Sequence, residues 1–472
     1  MKTENEICWM SVRELQEAIR RRELSPVEVL ESILVRIAEC NPKINAIVTL
    51  NEDRARELAR EAERKVRRGE KVGPLQGIPV TVKDLISTQG MRTTFGSKLF
   101  QGYVPDEDAI TVARLKEAGA IVLGKTNTPE FGLMFVTDNL IFGHTRNPWD
   151  TTRTSGGSSG GAAAAVATGM CPIALGSDGG GSIRVPASLC GVYGTKPSFG
   201  RIPRYPALRG FETLACEGSI TRTVWDAALM MDIMAGRDDK DRFSLPGEKT
   251  NYLDRLDEGV AGRKMAYSSD LGYAIVDPKV KAVAKKAALK FKGLGCEVDE
   301  INLDIPDMGE DLTRMVAAEM VTANEGHLED WREKGYPLYR GLFKLEKSLS
   351  ARDYVRIQFK REELWEKIRK VFERYDFLLT PTTAVAAFKL GERGPAAPSE
   401  IAGERVSPNA WVAFTYPFNF TGQPAASIPC GFVDNLPIGL QIVGNRYDDL
   451  GMLQASRAFE EAFPWRDKKP PL

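Results

Sequence analysis

From Ser11 to Leu50 the chain reads SVRELQEAIRRRELSPVEVLESILVRIAECNPKINAIVTL, with apolar residues recurring every three or four positions. That spacing predicts two amphipathic helices followed by an extended piece. The second helix opens at Ser25-Pro26, and Glu28 completes a capping-box pattern with the serine. Residues 51–70, NEDRARELAREAERKVRRGE, form a highly charged stretch that keeps its apolar positions at helical spacing. GIPVTVKDLIS and GAIVLGKTN are short β-branched runs and predict buried strands, with DAITVARLKEAGA as a helix between them. Such alternation implies an α/β protein whose sheet is covered by helices. From roughly 240 to 400 the chain becomes more charged and helical, before DFLLTPTTA and LPIGLQIVG restore strand-like text. No internal repeat, low-complexity tract or linker divides the chain, so one domain with a decorated middle is expected.

Composition adds limits. At 472 residues and 43% hydrophobic content, the chain can bury a large core. Its 64 basic and 64 acidic residues balance, so no net field draws it to nucleic acid or to an anionic membrane. The start, MKTENEICWMSVRELQ, lacks the cationic-then-apolar pattern of a secretory signal. The longest weakly polar run, Gly160 to Leu175, is broken by Gly169 and Pro172 and is too short for a bilayer, which needs about 20 apolar residues. Seven cysteines without C-x-x-C spacing suit free thiols in a reducing compartment. The expectation is a cytoplasmic protein.

Two motifs mislead. Gly119 to Thr126, GAIVLGKT, matches the phosphate-cradling G-x-x-x-x-G-K-[ST] pattern. That loop needs residues free to curl their N–H groups around phosphate, whereas Ala-Ile-Val-Leu favours the strand itself. RTSGGSSGGAAAAV, from Arg153, holds two overlapping copies of G-x-S-x-G, the nucleophile-elbow pattern. An elbow needs a strand directly before the serine, and NPWDTTRTSGG reads as a loop. A serine–histidine–acid triad would have to recruit one of only two histidines, His144 in FGHTRNP or His327 in TANEGHLEDW. Both contexts favour structural or surface roles. No histidine, cysteine or carboxylate cluster has metal-ligand spacing.

If a serine attacks, another group has to take its proton, and lysine is the main alternative. A free lysine holds its proton to about pH 10.4, and full burial lowers that by up to about 3–5. Most lysines here lie in charged helices, but Lys83 ends an apolar strand in IPVTVKDLIS. Read alone, it would simply pair with Asp84. Downstream, GSDGGGSIRVPASLCG sets Gly179, Gly180 and Gly181 directly before Ser182. Residues without Cβ let backbone N–H groups converge on one point, as an oxyanion hole requires. Read alone, this too is only a glycine-rich turn.

Together, Lys83, the GGSSGG block and GSDGGGSIRVPA resemble the amidase signature family of serine hydrolases. The separations, 75 residues from Lys83 to Ser158 and 24 more to Ser182, fit that pattern. The resemblance is strongest over about 72–235, including GKTNTPEFG and FGHTRNPWD, and resumes at NFTGQPAASIPCG and LPIGLQIVG. It implies a single α/β domain over 1–472, with a central mixed sheet covered by helices on both faces and a variable, helix-rich region at about 240–400. By the same resemblance, Ser182 is the nucleophile, Lys83 the neutral base, and Ser158 the bridging serine after a cis bond from Gly157. The oxyanion hole is expected from the N–H groups of Gly179, Gly180, Gly181 and Ser182, Ser159 is expected to steady the bridge, and Asp178 and Arg184 are expected to pair beside the nucleophile. The helix after Ser159 is expected to aim its positive end at the site. Phe131 and Gly132 fall near the family's substrate channel, with plain core packing of Phe131 equally open, and Cys216 is a candidate pocket residue. The family often carries a side chain where Gly179 stands.

The activity so implied is hydrolysis of a linear amide through an acyl-enzyme, extending to anilides, amino-acid amides, esters or carbamates, with no metal and no cofactor. A small-molecule amide is the expected partner, and a homodimer is compatible with the reading. Three alternatives remain: the glutaminase subunit of a tRNA-dependent amidotransferase, a nucleotide-binding P-loop protein, and a scaffold of this fold without catalysis.

Overall fold

The N-terminal helices run over Val12–Arg20 and Pro26–Ile44 in the computed structural model, which describes residues 3–246, 250–391 and 397–472. Ser25 and Glu28 close the capping box as expected, Glu28 N–H donating to Ser25 Oγ (3.1 Å) and Ser25 N–H to Glu28 Oε2 (2.7 Å). The charged stretch after them is helix Glu52–Arg67, whose buried positions are Ala55, Ala59 and Ala62.

Among the described residues, the strands in chain order are β1 Ile47–Leu50, β2 Pro79–Lys83, β3 Ile121–Thr126, β4 Ile173–Asp178, β5 Tyr193–Lys196, β6 Cys216–Thr221, β7 Lys264–Tyr267, β8 Glu297–Glu300, β9 Phe377–Pro381, β10 Glu400–Ile401, β11 Glu404–Arg405, β12 Ala425–Val433 and β13 Leu436–Gly444. Eleven form one mixed sheet in the order β1-β3-β2-β4-β6-β5-β12-β13-β9-β7-β8, while β10 and β11 make a separate ribbon. Pairing is parallel between β2 and β3, β2 and β4, β7 and β8, and β7 and β9, and antiparallel elsewhere in the sheet.

Side chains alternate across a strand, so a sheet buried on both faces needs an apolar core on each. In β9, Phe377 and Leu379 pack into one cluster and Leu378 into the other; in β7, Met265 and Tyr267 oppose Ala266 in the same way. Helices Pro26–Ile44, Gly160–Ala167, Val224–Met234 and Asp449–Ala462 cover the first face. Helices Gly309–Ala323 and Ala351–Phe372 belong to the second. The α/β sheet covered by helices is thus observed. The stretch expected to be mainly helical also supplies β7 and β8. Each has only four residues, and β8, Glu-Val-Asp-Glu, buries only Val298.

The GAIVLGKT segment is strand where strand was expected, over β3. Lys125 is fully buried and donates to the Ile86 carbonyl and to Thr88 Oγ1 (2.9 Å), so it does not reach a phosphate site. Among the described residues, no group of histidines, cysteines and carboxylates could hold a metal ion, and no helix is long and apolar enough to cross a membrane.

Candidate active site

Strand order assembles the site. β2 and β4 lie parallel, with Val82 opposite Leu175, so Lys83 and Ser177 emerge at the same edge. β6 runs antiparallel to β4 and sets Glu217 opposite Ser177 and Cys216 opposite Asp178. The Ser158 loop enters from the side through a cis peptide bond between Gly157 and Ser158, as the sequence resemblance implies. A Cβ at Gly157 would lie 2.8–2.9 Å from the backbone of Phe135 and Val136, so only glycine fits there.

Lys83 is completely buried. Its Nζ lies 2.7 Å from Ser158 Oγ, 3.1 Å from Ser177 Oγ and 3.3 Å from the Ser177 carbonyl oxygen. Burial drives its pKa down to about 7; the charges of Asp178 and Glu217 oppose the fall, and Arg204 assists it. Ser158 and Ser182 line one cleft with Leu85, Phe131, Leu208 and Phe211. Gly132 also lines it, with a positive φ of 72° and its α-carbon turned so that a Cβ would stand 3.3 Å from Ser158 Oγ.

Asp178 and Arg184 form the expected pair, completely buried and bidentate: Nη2 donates to Oδ1 at 2.8 Å and Nε to Oδ2 at 3.0 Å. Burial alone would raise the carboxyl's pKa, but Arg184 overrides it and holds Asp178 well below the usual carboxylate range. Arg184 also donates to the Thr415 carbonyl, Gln441 Oε1 and Asn419 Oδ1, so its donors are satisfied.

The glycine run needs one correction. Gly181 N–H donates to Asp178 Oδ1 (2.8 Å) and is not free for an oxyanion. The N–H groups of Gly179, Gly180 and Ser182 have no acceptor among the described residues. Asp178 also accepts from the N–H groups of Ile183 and Arg184, which folds the turn around its carboxylate. Gly181 has φ of 136°, and a Cβ there would sit 2.2 Å from Thr415 Oγ1; that hydroxyl donates to the Gly180 carbonyl at 2.7 Å. At Gly179, a Cβ would come within 2.8 Å of the Phe211 ring, which fills the space of the missing side chain.

Other expectations fare unevenly. Ser159 does not bond Ser158: its Oγ donates to the Ser177 carbonyl (3.1 Å) and its N–H to the Ser182 carbonyl (3.0 Å), tying the loop to β4 and to the nucleophile candidate. Helix Gly160–Ala167 begins directly after it and is buried throughout. Phe131 is both things at once, a cleft wall and a core ring packed edge-on to Trp331 at 5.2 Å. Cys216 is buried but does not line the cleft; strand alternation turns its neighbours Ala215 and Glu217 toward it instead. His144 Nδ1 faces Asp138 at 3.6 Å and His327 packs edge-on to Phe100 at 5.9 Å, and neither lines the cleft. Sequence reasoning missed Ser177, Arg204, Phe211 and Glu217. Ser177 had a signal, as the residue before Asp178 in GSDGGGS, whereas the other three come together only through β6 and the loop before it.

A large mixed α/β sheet carrying a buried lysine, a serine after a cis bond and a glycine-turned second serine defines a class. The Amidase family model matches residues 28–453, and the chain belongs to the amidase signature family of hydrolases. It is 40% identical to the acylamidase of Rhodococcus erythropolis over 99% of this chain and 98% of that protein. It is 35% identical to a glutamyl-tRNA(Gln) amidotransferase subunit of Carboxydothermus hydrogenoformans, over 99% of this chain and all of the relative (100%). A solved bacterial aryl acylamidase superposes with a TM-score of 0.91 at 36% identity, covering 97% of this chain and 98% of the other.

Proposed function

We propose that this hydrolase cleaves carboxylic amides through an acyl-enzyme on Ser182, with neutral Lys83 as the base and Ser158 as the bridge. The observation that carries the reading is the completely buried Lys83 amine, 2.7 Å from the Oγ of Ser158, which lines one cleft with Ser182. An uncharged amine has two N–H donors, which Ser177 can accept, and one lone pair, which the Ser158 hydroxyl can address. Lys83 takes the Ser158 proton as Ser158 takes that of Ser182, and Ser182 Oγ attacks the amide carbon. The oxyanion then meets the unpaired N–H groups of Gly179, Gly180 and Ser182, each such donor being worth about 10²–10³ in rate. The relay returns a proton to the leaving nitrogen, the C–N bond breaks, and water repeats the sequence to release the acid.

The walls Leu85, Ile86, Phe131, Leu208 and Phe211 suit an apolar acyl or aryl group, in keeping with the acylamidase and aryl acylamidase relatives. Hydrolysis of a panel of aliphatic amides, anilides and esters by wild type and by Lys83→Ala, Ser158→Ala and Ser182→Ala tests the reading. Wild-type turnover lost in all three variants is expected, and full activity of Ser182→Ala would refute it. The amidotransferase relatives support a second reading, a glutaminase that works beside partner subunits. Turnover of anilides by the isolated chain, with no activity on glutamine, favours the first.

A further inference from the structure

One charged group in the cleft does more than help to keep Lys83 neutral. Arg204 lies half-buried on the wall, in the loop that leads to β6. Its backbone N–H donates to Asp241 Oδ2 (2.9 Å) and its Nη1 to the Ala215 carbonyl (3.2 Å). The remaining edge of the guanidinium, Nε and Nη2, has no hydrogen-bond acceptor among the described residues, and Nε is buried. That edge presents two parallel N–H bonds, the geometry that grips a carboxylate with both oxygens.

Glu217 is the nearest carboxylate and does not fill the role. Its Oε1 stands 4.0 Å from Nε, outside hydrogen-bond range, and its Oε2 already accepts from Thr111 Oγ1 at 2.5 Å. Burial pushes the Glu217 acid upward, toward its uncharged form, against the pull of Arg204. A half-buried guanidinium on the cleft wall thus keeps one edge without a hydrogen-bond acceptor.

The cavity behind it has matching charge. Arg204, Leu208 and Ala215 form a wall shared by the cleft and a neighbouring pocket, which Arg209, Lys240 and Arg242 also line. Of that pocket's two acids, Asp241 accepts from the backbone N–H groups of Arg204 and Phe243, and Glu212 lies 3.7 Å from Arg242. Lys240 packs over the Tyr205 ring, and neither it nor Arg209 has a carboxylate partner among the described residues. The surroundings are net basic.

We infer that the free Nε–Nη2 edge of Arg204 binds a carboxylate on the substrate, so that the preferred substrates are amides whose acyl or amine part carries a carboxylate a short distance from the scissile bond. The inference rests on the amide-hydrolase reading above and names its substrate class.

Two matched anilide pairs test it: succinanilate against butyranilide, with the carboxylate on the acyl side, and para-acetamidobenzoate against para-acetotoluidide, with it on the amine side. Wild type is expected to favour the carboxylate member of at least one pair by about 10–100-fold in kcat/KM, the range of a hydrogen-bonded charged pair. Arg204→Gln is expected to abolish that ratio chiefly through KM. Glu217→Gln, which removes a competing acid, is expected to raise it. Opposite responses separate substrate binding from a structural ion pair, whose loss from either side would act alike. A wild type that favours the neutral member of both pairs, or an Arg204→Gln enzyme that keeps the ratio, overturns the inference while leaving the amidase reading intact. If Arg204→Gln does not fold, Glu217→Gln decides, and an unchanged or lowered ratio there is the contrary result. A wild type that cleaves none of the four anilides and none of the amides in the panel above overturns the amidase reading itself.

Discussion

Removing the Lys83 amine should abolish a specific limb of the pH–rate profile. An ordinary lysine, which titrates at 10.5, would be uncharged in about one molecule in 3000 at pH 7. With the pKa lowered to about 7 by burial, about half the molecules carry the free base, a gain on the order of 10³ in reactive population. Because the base acts uncharged, activity rises with pH: about a tenth of the plateau at pH 6, half near 7, and nearly all by pH 8.5. The assay is kcat/KM for a neutral anilide from pH 5 to 10, in wild type and Lys83→Ala. The variant is expected to lose at least about 10²–10⁴-fold, the usual contribution of a general base, and to lose the ascending limb with it. A limb that survives in Lys83→Ala, or a variant within tenfold of wild type, would refute the assignment.

Lys83→Met should also shift stability in a pH-dependent way. The folded pKa lies below the unfolded one, so wild-type folding carries the full cost of the buried charge below pH 7 and sheds it between about 7 and 10.5. The variant's stability relative to wild type, from urea midpoints, should therefore be higher at pH 6 than at pH 9.5; the reverse order would contradict a buried amine. Asp178→Asn should destabilise the protein by about 3–5 kcal/mol in the same measurement, because it strands the buried Arg184 charge. His144→Ala and His327→Ala should keep kcat/KM within a few-fold, since neither ring lines the cleft. A severe loss from either, with the fold intact, would reopen a histidine-based mechanism.

Much of the site was legible because its chemistry sits in local words. Lys83 after PVTV, Ser158 after two glycines and Ser182 after three each mark a strand end or a turn, and only their order and spacing together carried the family resemblance that gave them roles. What failed was non-local. Lys125 and Lys196 are as completely buried as Lys83, yet their carbonyl and hydroxyl partners come from backbone geometry that no spacing reveals. The choice of Glu217 over Cys216 as a cleft residue depends on the register of β6 against β4, a parity that one residue inverts. Gly179 read as a departure from the family, and the compensation, the Phe211 ring, lies 32 residues away in the chain. Similarly, the charged middle hid β7 and β8 because four residues are too few to show a strand's period, and β8, at the sheet edge, buries only Val298.

Covalent labelling probes the relay most directly. A fluorophosphonate should add once, and peptide mass mapping should put the adduct on Ser182, with the rate of labelling falling sharply in Lys83→Ala and in Ser158→Ala. An adduct on Ser158 or Ser159, or a labelling rate indifferent to the loss of the Lys83 amine, would contradict the proton path.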